Sequence, residues 1–161
     1  MEEAWLTRYP SDDGSVHLKQ FPDVVPGWQD GDLSDKWEKI RRIRKVVTGA
    51  LEVERREKRI GSSLEAAPKV YVNDSDLMAS LIGVDFADVV ITSQVEVIAK
   101  EPPSGAFMLD DVASVGVVPE LAKGTKCARS WKVLEDVGSD PDYPDLSPRD
   151  AEAVRQFDAT Q

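Results

Sequence analysis

The chain has 161 residues, a formal charge of −10 and a pI near 4.6. That length holds one domain or two small ones. No stretch approaches the roughly 20 apolar residues that a membrane helix needs, and no basic-then-apolar leader opens the sequence. The single cysteine excludes an internal disulfide framework and fits a reducing cytoplasm. So acidic a chain is no general nucleic-acid binder: any such contact must sit on a local patch.

Residues 1–9 favour a helix, which reads as the end of one begun in a longer protein, because fewer than two turns do not stand alone. Residues 10–34 are rich in turn formers, among them Pro10, Gly14, Pro22, Pro26, Gly27 and Gly31, with a short extended piece over Ser15–Phe21. Trp28 is expected to anchor in the core. His17, the only histidine, has no nucleophile motif or second histidine beside it and reads as structural.

Residues 35–60 predict one long helix and form the only basic part of the chain. They carry ten cations against five acids. Ser34 or Asp35 can cap the start, and Gly61 stands where the C-terminal turn needs one. At 3.6 residues per turn, Ile40, Ile43, Val47, Ala50 and Leu51 share one face. Arg41, Arg42, Lys45, Arg56 and Arg59 fall roughly opposite, as either a solvated face or a phosphate-tracking one.

Ser62 or Ser63 caps a short element that Pro68 stops. Lys69–Asn73 alternates as a strand, and a helix starts at Asp74 or Ser75 and ends at Gly83. Ala87–Ala99 reads as one or two strands, Pro102–Gly105 as a turn, and Val112–Val118 as a last strand. The fold class is therefore α+β: a long helix, a small mixed sheet with one helix over it, and a short C-terminal lobe. In that lobe Gly138–Asp145 reads as loop, and Ser147, Pro148 and Asp150 open a final helix. Trp131, Val133, Leu134, Val137, Tyr143, Leu146, Val154 and Phe157 are its candidate core. The paired acids Asp12–Asp13 and Asp110–Asp111 read as solvated charges.

The ordered set Glu2–Trp5, Ser15–Leu18, Lys36–Arg41, Val47–Glu52, Ile60–Ala66 and Lys126–Trp131 resembles the C-terminal part of bacterial isoleucyl-tRNA synthetase over nearly the whole chain. The resemblance implies the end of a helical anticodon-binding domain (1–67), a small α/β junction (68–122) and a C-terminal lobe (123–161). Many members hold zinc there through two Cys-x-x-Cys pairs. The matching positions here are Cys127, Ser130, Ser147 and Asp150, and two neutral serines make a poor donor set, so no zinc is expected.

The resemblance also implies contact with isoleucine tRNA, positioning its anticodon arm for aminoacylation by domains outside this chain. Lys126, Arg129, Trp131 and Lys132 join the five helix cations as candidates, with Trp131 either stacking on a base or lying in the core. The remaining synthetase domains are the other expected partner, with no membrane and no DNA. The sequence has no His-x-Gly-His element and no Lys-Met-Ser-Lys-Ser loop, so ATP and isoleucine would be handled elsewhere. Two alternatives stay open: an acidic α+β protein-docking module, and the equivalent piece of a valyl or leucyl enzyme. A helical bundle cut short would also leave Trp5, Leu6, Ile40, Val47 and Leu51 partly exposed.

Overall fold

The computed structural model describes residues 2–9 and 14–160. Asp12, Asp13 and the turn at Pro10 lie outside those residues. The chain divides into two compact units, Met1–Asp32 and Leu33–Gln161.

In the first unit, α1 (Glu2–Arg8) stacks Trp5 on Tyr9, the ring centroids 4.6 Å apart. Glu2 ties α1 to the next turn. Its carboxylate accepts from the Val16 N–H at 3.2 Å and lies 3.3 Å from His17 Nε2. His17 therefore has a structural contact, though an exposed one. A 3₁₀ turn at Val16–Leu18 replaces the expected extended piece, and a second at Pro26–Trp28 falls where turn formers were expected. Trp28 is no anchor, being 77% exposed.

The second unit is built on α2 (Gly31–Arg56). The helix starts and ends about one turn before the expected bounds, and the reason lies at its end. The Lys58 N–H donates to Arg55 O and the Arg59 N–H to Glu54 O, while Lys58 itself takes φ +59°. This is a Schellman stop with a lysine where glycine is usual. Arg59 clamps it by gripping both oxygens of Glu54 at 2.6 Å. Gly61 is not the terminator.

Four strands follow: β1 (Lys69–Val72), β2 (Glu96–Ile98), β3 (Phe107–Met108) and β4 (Val115–Val118). They lie in the order β2-β1-β4-β3, with β1–β2 parallel and the other pairs antiparallel. Val70 pairs with Val117 and Val72 with Val115. All four valines are buried in one apolar cluster with Ile40, Ile43, Val46, Val47, Ala50 and Leu51 of α2. This overturns the expected exposure of Ile40, Val47 and Leu51: the sheet covers them. Trp5 and Leu6 are half-buried. Gly49 permits the close approach, since a Cβ there would lie 2.9 Å from the Phe107 ring.

Two short helices, α3 (Ser75–Ser80) and α4 (Phe86–Val90), are capped by Asp74 and Asp85. The first starts as expected but ends at Ser80, short of Gly83. The second replaces a predicted strand, despite three β-branched residues at 89–91. Asp85 accepts from the Asp88 N–H, Phe86 and Val90 both enter the core, and Ile91 stops the turn at φ +59°. Capping and burial of positions four apart override strand propensity there. Strand β3 was not expected, and β4 starts at Val115 because a 3₁₀ turn takes up Asp110–Val112.

The C-terminal lobe holds a two-stranded ribbon, β5 (Thr125–Lys126) with β6 (Val133–Leu134), and α5 (Pro148–Asp158). Gly124 is required at its corner: φ is +116°, and a Cβ would meet Leu134 O at 2.1 Å. The lobe's own core is small, with Cys127, Leu146 and Ala151 buried and Val137, Tyr143 and Val154 packed against them. Trp131 and Phe157, expected in that core, are each 62% exposed. Ser93 and Asp88 fasten the lobe to the sheet body. The Val133 N–H donates to Ser93 Oγ at 2.6 Å, and Lys132 Nζ reaches Asp88 at 2.6 Å.

Candidate nucleic-acid interface

The nine candidate contact residues do not form one patch. Arg41, Arg42 and Lys45 lie on consecutive turns of α2. Arg56 is about 20 Å farther along the axis at 1.5 Å per residue. Arg59 is past the helix end rather than on its outer face.

Nor are all the cations free to face a ligand. Lys45 pairs with Asp111 at 2.7 Å. Arg59 is taken up by Glu54 and Glu57, and Lys132 by Asp88. The Lys45 ammonium holds the Asp111 carboxyl below its ordinary range, and the Lys132 ammonium does the same for Asp88. Beyond the candidates, Lys39 pairs with Asp76 at 2.8 Å, and Arg44 Nε donates to Val89 O at 3.0 Å. Among the described residues, Arg41, Arg42 and Arg56 are exposed and held by no ion pair. The sequence pattern missed the partners of Lys45 and Lys132 because they lie 66 and 44 residues away: Lys45 and Asp111 meet only because α2 crosses the sheet.

The lobe arranges its candidates around one tight turn. The Trp131 N–H donates to Cys127 O at 3.0 Å, and the Cys127 N–H to Lys132 O at 2.8 Å. This closes the link from β5 to β6 and sets Trp131 at φ +63°. A bulky aromatic in the left-handed region is uncommon and persists only where surrounding bonds over-determine it. The result is a displayed ring. Lys126 Nζ stands 5.4 Å from its centroid, within cation–π range. Arg129 points instead to Asp150, at 3.0 Å.

Cys127, Ser130, Ser147 and Asp150 do converge. Cys127 Sγ lies 3.1 Å from Asp150 Oδ2, the Ser147 hydroxyl donates to the same oxygen at 2.8 Å, and the Ser147 N–H points at Cys127 Sγ at 3.4 Å. Ser130 Oγ is buried beside them and faces Asp150 and Cys127 without meeting full hydrogen-bond geometry. Burial alone would raise the Asp150 pKa. The Ser130, Cys127, Ser147 and Arg129 groups outweigh it and hold the carboxyl well below the usual range.

This donor set does not fit zinc. Zinc wants four thiolate, imidazole or carboxylate donors; here there is one thiol, and the one carboxylate is already hydrogen-bonded at both oxygens. Among the described residues, no three His, Cys, Asp or Glu side chains converge as metal ligands.

A pH dependence follows. The folded Asp150 carboxyl is depressed, so its contribution is complete above the unfolded value near ~3.9 and is lost as pH falls through the lower folded one. Asp140 beside Arg155 and Asp88 beside Lys132 act with the same sign. Amide exchange at Ala151 and Val154 should be level from about pH 5 to 8 and quicken, beyond its intrinsic rate, below about pH 4. Greater protection on acidification would contradict this charge assignment.

A scan against protein-family models matches none. Individual relatives do match. The chain is 61% identical over 158 residues, 98% of its length, to a protein of Agrobacterium fabrum named isoleucine–tRNA ligase. It is 57% identical over 157 residues to the one of Bartonella henselae and 53% over 158 to that of Bradyrhizobium diazoefficiens. In each case the chain spans about 16% of the relative's length. An α+β chain so similar throughout to these proteins belongs to the isoleucine–tRNA ligase family, of whose members it represents the C-terminal part.

Proposed function

We propose that this chain binds the anticodon arm of isoleucine tRNA within isoleucine–tRNA ligase, a cytoplasmic class I synthetase. Holding that arm sets the acceptor end at a catalytic domain elsewhere in the enzyme, where ATP and isoleucine react. The chain's share is binding and orientation; it carries no adenylating motif. In this reading 1–67 ends the helical anticodon-binding domain, 68–122 is the junction, and 123–161 is the contacting lobe.

The observation that carries the proposal is the display of Trp131. An indole held outward by a strained turn, with a lysine over its ring, suits an unpaired base: the base stacks on the ring and the cation meets the backbone. Arg41 and Arg42, exposed and unpaired on α2, supply a second contact to phosphate. No helix among the described residues is long and apolar enough to cross a membrane. The protein-docking alternative gains little, because three cations of α2 already pair with this chain's own acids.

Photochemical crosslinking of the chain to isoleucine tRNA tests the reading. The expected crosslink joins the peptide containing Trp131 to a nucleotide of the anticodon loop. Crosslinks confined to the acceptor stem, or absent from the Lys126–Lys132 turn, would overturn it.

A further inference from the structure

The four positions where the resemblance would place zinc come together here around a different centre. Asp150 is 6% exposed, and every oxygen it has is used. Oδ2 takes the Ser147 hydroxyl and the Cys127 thiol, and Oδ1 takes the Arg129 guanidinium. The Asp150 N–H in turn donates to Ser147 Oγ at 3.3 Å, which caps α5. From the other side, the Ala128 N–H donates to Asp145 O at 3.0 Å. The cluster thus joins the turn after β5 to the first turn of α5, alongside the small apolar core of Cys127, Leu146 and Ala151.

We propose that Cys127, Ser130, Ser147 and Asp150, with Arg129 as counter-charge, form a metal-independent clasp that fastens α5 to the β5–β6 ribbon and excludes zinc from the position it would occupy. Charge and valence both exclude the ion. A divalent ion at this centre would need the Asp150 oxygens that three donors already hold. It would sit beside the Arg129 cation, with a single thiol to draw on. The two serines offer only neutral oxygens in return. The guanidinium supplies the positive charge that the buried carboxylate needs, and unlike an ion it is carried by the chain itself. This inference does not depend on tRNA binding.

Metal analysis and amide exchange on the whole chain test it together. Protein expressed with added zinc and then dialysed should hold far less than one zinc per chain. Added cobalt(II) should give no thiolate–metal absorption. A chelator should leave the exchange of α5 amides unchanged. Asp150→Asn should speed exchange at Ala151 and Val154 about tenfold or more, since a charged hydrogen-bond acceptor is removed. Should that variant not fold, Arg129→Gln, at a half-exposed side chain, should speed the same amides several-fold while those of α2 stay protected. One tightly held zinc per chain, a saturable one-to-one cobalt band, or α5 amides that quicken on chelation would overturn the clasp. So would α5 protection untouched in both variants.

Discussion

Replacing Trp131 with alanine should weaken binding of isoleucine tRNA roughly five- to 150-fold while leaving the melting temperature nearly unchanged. The size follows from base–aromatic stacking, about 1–3 kcal/mol per base, converted at about 1.4 kcal/mol per tenfold. The near-unchanged stability follows from exposure and backbone together: the ring is 62% exposed, exposed substitutions cost about 0.5 kcal/mol or less, and the positive φ at this position is no harder for alanine than for the bulkier tryptophan. Trp131→Phe should keep most of the affinity, because the stacking face survives. The two variants separate stacking from packing. Were the indole a core residue, alanine would lower stability and phenylalanine would restore only part of it. Binding titrations read beside thermal melts check both halves.

The second large effect is structural. Ile43→Ala should cost about 3 kcal/mol, within the 2–5 kcal/mol usual for emptying a well-packed site. For a chain of this size that lowers the melting temperature by roughly 6–12 °C. Ile43 is fully buried between α2 and the valines of β1 and β4. One cooperative transition should report helix and sheet together, since they share one core. A loss under about 1 kcal/mol would mean that the face of α2 is loosely covered after all. Far-ultraviolet circular dichroism during denaturation makes the measurement.

Both predictions rest on features that the sequence exposed unequally. The apolar stripe of α2 was legible because the 3.6-residue period is local. What covered it was not: the chain's own sheet meets the helix through valines as far along the sequence as Val115 and Val117. Residue type pointed to the cap at Ser147 and narrowed two others to Ser62 or Ser63 and Asp74 or Ser75, of which the structure uses Ser62 and Asp74. The helix at Phe86–Val90 was hidden because its β-branched residues favour a strand in isolation, and only burial of Phe86 and Val90 decides otherwise. The end of α2 was misplaced because a lysine takes the left-handed position and an Arg59–Glu54 pair braces it. The candidate site was half legible. Basic residues could be named, but not which of them the fold neutralises. The outward pose of Trp131 depends on two backbone hydrogen bonds that close its turn, and residue type gives no hint of those.

The most direct test of the functional account is the affinity of this chain for isoleucine tRNA and for a non-cognate tRNA across a salt series. The account predicts tighter binding of the cognate and a steep fall with salt. Charge reversal at Arg41 and Arg42 should flatten that slope by roughly 1.5, since each phosphate neutralised by a cation contributes about 0.7–0.9. Equal affinity for both tRNAs, or a slope indifferent to Arg41 and Arg42, would contradict it.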